Sequence, residues 1–167
     1  FGDASFDAVV CQLGLQFFPD PARGLTEFRR VLRPGANVGI CVISTPDKAP
    51  MWGILAEELG RRLPAQRAVL NLSFALADQS QLRALFASAG FRDIGVERVE
   101  RHDAVEGFDA YWEPIESGVG SIPQMYLTLP EADRRAVREE VKRRLSRFEV
   151  AGKLVLSVEM LIGRGQA

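Results

Sequence analysis

The sequence is poor in the residue types that build metal sites and disulfide frameworks. Its 167 residues include one histidine and two cysteines. Because a structural zinc site takes four such ligands, the composition predicts no metal centre. Cys11 and Cys41 each lie inside an apolar, strand-like run, so we expect two buried free thiols and a reducing, cytoplasmic location.

The chain also lacks a charge excess and a long apolar run. Its net charge is −1, which gives no reason to expect nucleic acid or an anionic membrane as a partner. The Arg-rich segment Asp133–Arg147 interleaves Glu139 and Glu140 with its basic residues, which favours a solvated helix face. No apolar run approaches the ~18 residues that span a bilayer, so no membrane span is predicted.

What the chain does contain, near its start, is a strand–helix–strand pattern. The run "FDAVVC" (Phe6–Cys11) is typical of a strand that is buried on both faces. Asp20 and the proline after it predict a capped helix, and the "PG" ending at Gly35 predicts its stop. The run "NVGICVI" (Asn37–Ile43) predicts a second buried strand. Two such strands joined by one helix indicate a parallel sheet in an α/β fold.

The rest of the chain alternates helical and strand patterns. We predict helices over "MWGILAEELGRRL" (Met51–Leu63) and "EADRRAVREEVKRRLSRF", and strands over Asp93–Glu100 and Lys153–Ile162. Asp78 and Gly90 predict the two ends of a further helix. Thr128 and Glu131 have the spacing of a capping box, with Pro130 in the first turn.

Taken in order, these segments resemble the second half of class I S-adenosylmethionine-dependent methyltransferases. The nearest branch is the small-molecule group that includes quinone-biosynthesis C-methyltransferases. "SFDAVVC" is similar to the fourth strand, "FFPDPARGLTEFRRVLRPG" to the following helix and turn, and "ANVGICVI" to the fifth strand. "LRALFASAGFRDIGVERV" is similar to the next helix and sixth strand, and "KLVLSVEMLIGRG" to the seventh. The resemblance implies a Rossmann-like doubly wound sheet with an antiparallel last strand and a helical insertion.

The resemblance also implies that part of the domain is missing. In the family, a glycine-rich loop and two acidic residues that bind the cofactor precede the fourth strand, and no such segment occurs here. Asp3 lies in the wrong place to substitute for them and is interpreted as a solvated loop residue. We therefore expect residues 1–167 to be the C-terminal part of one methyltransferase domain, with its N-terminal half as the missing partner. Alone, the chain should self-associate and bind the cofactor too weakly to measure.

Ligands of doubly wound sheets bind beyond the carboxyl ends of the parallel strands. The family's cofactor there is S-adenosyl-L-methionine, whose sulfonium favours carbonyl oxygens and aromatic faces. The residues that the resemblance assigns to cofactor binding are Cys11, Gln12, Leu13, Gln16 and Phe17. For Phe17, the alternative is core packing, and for Gln12 and Gln16 it is a structural role.

Two excursions, residues 45–77 and 103–152, are predicted to cap the substrate site. Their side chains that could line an apolar pocket for a small-molecule methyl acceptor are Met51, Trp52, Phe74, Tyr111, Trp112 and Tyr126. The alternative is that they only pack the insertion against itself. The catalytic base is unknown: His102 and Asp47 are weak candidates, each with a plain surface role as the alternative.

Two other functions remain open at this point. An NAD(P)-dependent oxidoreductase of the short-chain type needs a lysine four residues after its tyrosine. Ile115 follows Tyr111 and Pro130 follows Tyr126 at that spacing. A non-catalytic scaffold or interaction protein that retains the fold is the second alternative. Quinone, polyketide, sterol and small-amine acceptors all stay open.

Overall fold

The computed structural model describes residues 1–167 and contains five β-strands and seven α-helices. The strands are β1 (Phe6–Gln12), β2 (Leu32–Ile43), β3 (Arg92–Val105), β4 (Glu149–Val150) and β5 (Lys153–Gln166). The helices are α1 (Pro21–Val31), α2 (Pro50–Arg62), α3 (Arg67–Asn71), α4 (Gln79–Ser88), α5 (Gly107–Glu116), α6 (Ser121–Leu127) and α7 (Glu131–Leu145). None of these helices combines the length and the apolarity that crossing a membrane requires.

The chain divides into two compact units. The sheet unit comprises Phe1–Ser44, Leu72–Glu100 and Glu159–Ala167. The helical unit comprises Thr45–Asn71 and Arg101–Val158. The predicted excursions, 45–77 and 103–152, overlap the two segments of the helical unit, but residues 72–77 lie in the sheet unit. Their role as a substrate cap stays a prediction.

The sheet has the strand order β1-β2-β5-β3, and β4 pairs with β5. β1 and β2 are parallel, with Cys11 opposite Ile40. β2 and β5 are antiparallel, with Cys41 opposite Ile162. The predicted antiparallel last strand and its place between the second and third predicted strands are both confirmed.

Local capping explains where the helices of the sheet unit begin. The Asp20 carboxylate accepts a hydrogen bond of 2.9 Å from the Arg23 N–H, and Pro21 occupies the first helical position. Asp78 caps α4 in the same way, accepting at 2.8 Å from the Gln81 N–H. Each carboxylate satisfies one of the N–H groups that the first helical turn leaves without an intrahelical partner. Gly90 follows α4 with a φ of +84°, as the predicted stop requires.

The core of the sheet unit lies on one face of the sheet. Alternate residues of β2 pack with α1 and α4. One residue of β5 and one of β3, the next two strands in the sheet order, complete the cluster. Its buried members on these elements are Leu25, Val38, Ile40, Val42, Leu82, Phe86, Val96 and Leu161. A Cβ on Gly163 would lie 2.8 Å from the Phe86 ring, so this helix–sheet contact needs a glycine.

The opposite face near β1 is exposed, which corrects the prediction of a strand buried on both sides. Val10 is 78 % exposed, and Ala8 and Asn37 are exposed as well. A Cβ added at Gly39, the partner of Val10, would have no neighbour within 4 Å. We call these four residues the open face. The prediction failed because the helices of the sheet unit pack on the opposite face, against the core cluster, and leave these four residues uncovered.

The cysteines also differ from expectation, since both are half-buried rather than buried. Neither is in a disulfide. The Cys41 thiol lies 3.6 Å from the Met160 sulfur, and burial raises the pKa of this thiol. It therefore stays protonated at neutral pH and weakly reactive.

An aromatic cluster fills the core of the helical unit. Trp112 is 1 % exposed, stacks on Phe108 at 5.4 Å and meets the Tyr126 ring edge-on at 5.3 Å. The Trp112 indole N–H donates to a Glu116 carboxylate oxygen at 2.9 Å, and the Tyr111 hydroxyl donates to the Met51 carbonyl oxygen at 2.7 Å. Both polar groups of these buried side chains are thus hydrogen-bonded within the unit.

The predicted capping box at the start of α7 is wrong. Thr128 donates its hydroxyl to the Met125 carbonyl at 2.7 Å and so closes α6 instead. Pro130 occupies the N-cap position of α7 without a side-chain cap, and Glu131 forms an ion pair with Arg135 at 3.0 Å. The inward face of this helix consists of Val137, Val141 and Leu145, which are buried.

Candidate functional site

The polypeptide turns sharply at the carboxyl end of β1. The Leu13 N–H donates to the Cys41 carbonyl at 2.8 Å, which extends the pairing with β2 by one residue. Leu13 has a φ of +52°, a left-handed conformation that residues with a side chain rarely adopt. A 3-10 turn, Leu15–Phe17, follows directly. A backbone conformation of this cost at the carboxyl end of a parallel strand marks a candidate binding site.

Gln16 is the unusual side chain of this turn. It is 2 % exposed, and neither its Oε1 nor its Nε2 has a hydrogen-bond partner in the protein. The preceding Leu15 is fully buried, whereas Phe17 is 46 % exposed. The turn therefore buries an unpaired amide and leaves an aromatic ring open to solvent, which is the reverse of ordinary core packing.

A second 3-10 turn, Leu72–Phe74, packs against the Leu15–Phe17 turn and against β2. It brings the predicted pocket residue Phe74 to the same end of the sheet as the predicted cofactor residues Gln16 and Phe17. Its Ser73 is buried. The carboxyl end of β1 is thus flanked by a turn that carries both an aromatic ring and a hydroxyl.

The end of β2 is fixed by a carboxylate that the sequence analysis did not single out. The Ser44 hydroxyl donates to Glu159 Oε1 at 2.6 Å, and the Ser44 N–H donates to the Glu159 carbonyl at 3.0 Å. Arg98 lies 3.9 Å from the same carboxylate. The sequence contains a signal for this role of Glu159, since it is the one acidic residue of the apolar run "KLVLSVEMLIG".

Comparisons with known proteins find methyltransferases. Residues 1–40 match the sequence model of a methyltransferase domain. A demethylmenaquinone methyltransferase of Corynebacterium kroppenstedtii is 33 % identical over 106 residues, which cover 57 % of this chain and 46 % of that relative. Among solved structures, a protein of Bacillus halodurans assigned as a methyltransferase aligns with 99 % of this chain and 71 % of its own. Its TM-score is 0.55 at 18 % identity.

Over part of its length the chain is similar to S-adenosylmethionine-dependent methyltransferases. A further structure of this fold is phosphoethanolamine N-methyltransferase 2 of Haemonchus contortus, solved with S-adenosyl-L-methionine. It has a TM-score of 0.50 and 18 % identity, and it covers 99 % of this chain and 34 % of that one. The chain spans about half the length of the curated relatives that it matches. The expectation that an N-terminal half is missing stays a prediction.

The five predicted cofactor residues lie on one continuous stretch. Cys11 and Gln12 end β1, Leu13 has the left-handed conformation, and Gln16 and Phe17 lie in the 3-10 turn. The exposed Phe17 ring suits a sulfonium, which favours aromatic faces, whereas the unpaired Gln16 amide is neutral and offers no opposite charge. Their contact with the cofactor stays a prediction.

Five of the six predicted pocket residues lie in the helical unit, in two groups, and the sixth, Phe74, lies in the Leu72–Phe74 turn of the sheet unit. Tyr111, Trp112 and Tyr126 fill the core of the helical unit, and burial raises the pKa values of both tyrosines. Met51 and Trp52 lie half-buried in the first turn of α2. The prediction that these side chains form one substrate pocket with residues of the sheet unit stays a prediction.

The two weak candidates for a catalytic base have different surroundings. A hydrogen bond from the Thr45 side chain is the main cause that holds the pKa of Asp47 below its ordinary value. A carboxylate with a lowered pKa accepts a proton less readily, which weakens Asp47 as a base. His102 is exposed on β3, and its role stays a prediction. No group of three or more His, Cys, Asp or Glu side chains is arranged to hold a metal.

A charged groove of about 670 Å³ lies between α2 and α7 in the helical unit. Its lining residues are Glu58, Arg61, Arg62, Ala136, Glu139, Glu140 and Arg143. The buried Glu58 carboxylate binds both neighbouring arginines, at 2.7 Å from Arg61 and with a shorter contact to Arg62. Arg143 pairs with Glu140 at 2.6 Å. Because the charges of this groove are paired with one another, it resembles a helix–helix contact more than a ligand site.

Proposed function

We propose that this protein transfers a methyl group from S-adenosylmethionine to a small apolar acceptor. The observation that carries the proposal is the turn after β1. There a strained Leu13, a buried unpaired Gln16 and an exposed Phe17 succeed one another at the carboxyl end of a parallel strand. In doubly wound sheets this is the end at which ligands bind.

The chain's residues would act mainly by alignment. Backbone carbonyls near Cys11 and the side chains of Gln12 and Leu13 would hold the methionine end of the cofactor. The Phe17 ring would lie beside the sulfonium, where an aromatic face stabilises positive charge by cation–π attraction. When bound, the cofactor supplies a methyl group that is already activated for in-line displacement. Exclusion of water by the Leu72–Phe74 turn would keep the acceptor as the only nucleophile.

For the acceptor we propose a reduced quinone or a similar hydroxylated ring. The matched relatives named demethylmenaquinone methyltransferase support this class. In such a transfer the sulfur–methyl bond breaks, and the sulfur keeps the electron pair and becomes a neutral thioether. An electron pair of the ring forms the new carbon–methyl bond, and the ring loses one proton to a base or to solvent.

The test is a methyl-transfer assay on the full gene product with radiolabelled S-adenosylmethionine. We expect label in a demethylmenaquinol analogue and binding of S-adenosylhomocysteine in calorimetric titration. Phe17→Ala should weaken cofactor binding, whereas Val69→Ala, at an exposed position of the helical unit, should not. If neither cofactor binding nor transfer to quinol, polyketide, sterol or amine acceptors is found, the non-catalytic alternative is favoured instead.

A further inference from the structure

The side-chain amide of Gln16 is buried and makes no hydrogen bond within the protein. Neither the Oε1 acceptor nor the Nε2 donor has a hydrogen-bond partner. Folded proteins pair the large majority of such groups, because an amide withdrawn from water without a partner is costly. A methionine would fill similar space at this position without that cost.

The surroundings of Gln16 account for its lack of a partner. Leu15 before it is fully buried, and the cluster around that leucine consists of apolar side chains. The facing turn, Leu72–Phe74, offers one buried hydroxyl, on Ser73, and no hydrogen bond joins it to Gln16. The amide therefore lies buried without a partner in the protein, three residues after the left-handed Leu13.

The chemistry of the amide restricts what could pair with it. A carboxamide is neutral and carries one acceptor and one donor group side by side. A charged ligand group buried against it would need an opposite charge as well as hydrogen bonds. A neutral oxygen has no such need: a carbonyl accepts from Nε2, and a hydroxyl also donates to Oε1.

We propose that the Gln16 amide binds an oxygen substituent of the methyl acceptor, a hydroxyl or carbonyl on an apolar ring. This inference rests on the proposed function and assigns to Gln16 the selection of oxygenated over oxygen-free rings. In this arrangement an apolar pocket supplies most of the contact, and a single polar pair fixes the orientation of the ring. Hydrogen-bonding sites of this kind reject analogues that lack the matching oxygen, because the protein group is then left unpaired.

The experiment compares Gln16→Met with the unaltered full gene product. Methyl transfer to 1,4-naphthohydroquinone is measured together with the melting temperature of the ligand-free protein. We expect Gln16→Met to raise the KM for the hydroquinone about tenfold, which is the scale of one lost hydrogen bond. The KM for S-adenosylmethionine should stay unchanged, and the melting temperature should stay the same or rise. The control is Gln124→Met, at an exposed position on α6, which should change none of these quantities.

Other outcomes overturn the inference in distinguishable ways. A lower melting temperature with both KM values unchanged would show that the amide is hydrogen-bonded in the folded protein, through bound water. A rise in the KM for S-adenosylmethionine alone would assign the amide to the cofactor. Absence of methyl transfer and of S-adenosylhomocysteine binding in the unaltered protein would overturn the proposed function and this inference together. Transfer with an unaltered KM in Gln16→Met would overturn the inference alone.

A second readout does not depend on turnover or on the folding of a variant. The side-chain NH₂ signals of Gln16 in the unaltered protein are followed by NMR while 1,4-naphthohydroquinone is added. A shift of these signals, absent when naphthalene is added instead, is expected. No shift at saturating hydroquinone contradicts the proposed contact.

Discussion

In the helical unit, the Tyr111 hydroxyl and the Trp112 indole N–H each reach an acceptor of the same unit, whereas in the sheet unit the Gln16 amide reaches none. The two units also differ in how their apolar residues are covered. The aromatic cluster of the helical unit is closed on itself, while the sheet unit leaves Val10 exposed on its open face. The polar groups of these buried aromatic side chains are thus satisfied within the helical unit, whereas the sheet unit contains a buried amide without a partner in the protein. The following changes test this division.

The largest effect is expected in the closed core. Trp112→Ala should lower the free energy of unfolding by about 3–5 kcal/mol, because it removes a buried ring and leaves a cavity. Urea denaturation followed by circular dichroism measures the change. The control, Val119→Ala at an exposed position of the same unit, should stay within about 0.5 kcal/mol. Small destabilisation by Trp112→Ala together with a raised acceptor KM would instead favour the substrate-pocket interpretation of this tryptophan.

Two glycines allow a matched comparison of the units. A Cβ on Gly53 would lie 2.8 Å from the Pro46 carbonyl carbon, whereas one on Gly39 would meet nothing within 4 Å. Gly53→Ala should therefore destabilise by about 1–3 kcal/mol, since backbone rather than a side chain must move. Gly39→Ala should be neutral or stabilise by up to about 1 kcal/mol through the unfolded chain. Equal losses of melting temperature in the two variants would contradict the assignment of Gly39 to the open face.

The open face should also decide how the chain associates. An exposed, apolar edge strand promotes pairing with other chains, and we expect the 167-residue chain to self-associate. Val10→Lys should shift the chain toward monomer and change its unfolding free energy by no more than about 0.5 kcal/mol. Sedimentation velocity at several concentrations measures the shift. Val69→Lys in the helical unit is the matched control, and an equal response to both substitutions would argue against β1 as the contact.

The smallest effect is a pH dependence at the start of α4. Hydrogen bonds from the Ser80 hydroxyl and the Gln81 N–H hold the pKa of Asp78 below its ordinary value of 3.8. A carboxylate whose pKa is lowered by folding stabilises the protein above that ordinary value, and the stabilisation is lost as the pH falls through the lowered pKa. Asp78→Asn keeps a capping side chain but cannot titrate. The stability of this variant should therefore fall less steeply than that of the unaltered protein between about pH 4 and pH 2. If the unfolding free energies of the two proteins fall with the same slope as the pH is lowered, the charge of Asp78 does not contribute to stability.

The sequence predicted those features that depend on neighbouring residues. Asp20 and Asp78 cap helices because their partners lie three residues away, and the antiparallel last strand followed from the resemblance to a family. Thr128 was misassigned because two helices compete for its hydroxyl, and only the folded chain shows that α6 receives it. The exposure of Val10 depends on which helices cover each face of the sheet, which a hydrophobic run does not encode. The sequence located Gln16 shortly after the strand that ends near Cys11, but its lack of a partner depends on contacts that are distant in sequence.

The aromatic cluster has a consequence for spectroscopy. Both tryptophans and both tyrosines, at positions 52, 111, 112 and 126, belong to the helical unit, and the sheet unit contains phenylalanine as its only aromatic residue type. Tryptophan fluorescence and absorbance near 280 nm therefore report on one unit and are silent about the other. An unfolding curve recorded by fluorescence alone would miss a sheet unit that melts separately. Its comparison with a curve recorded by circular dichroism shows directly whether the two units unfold in a single transition.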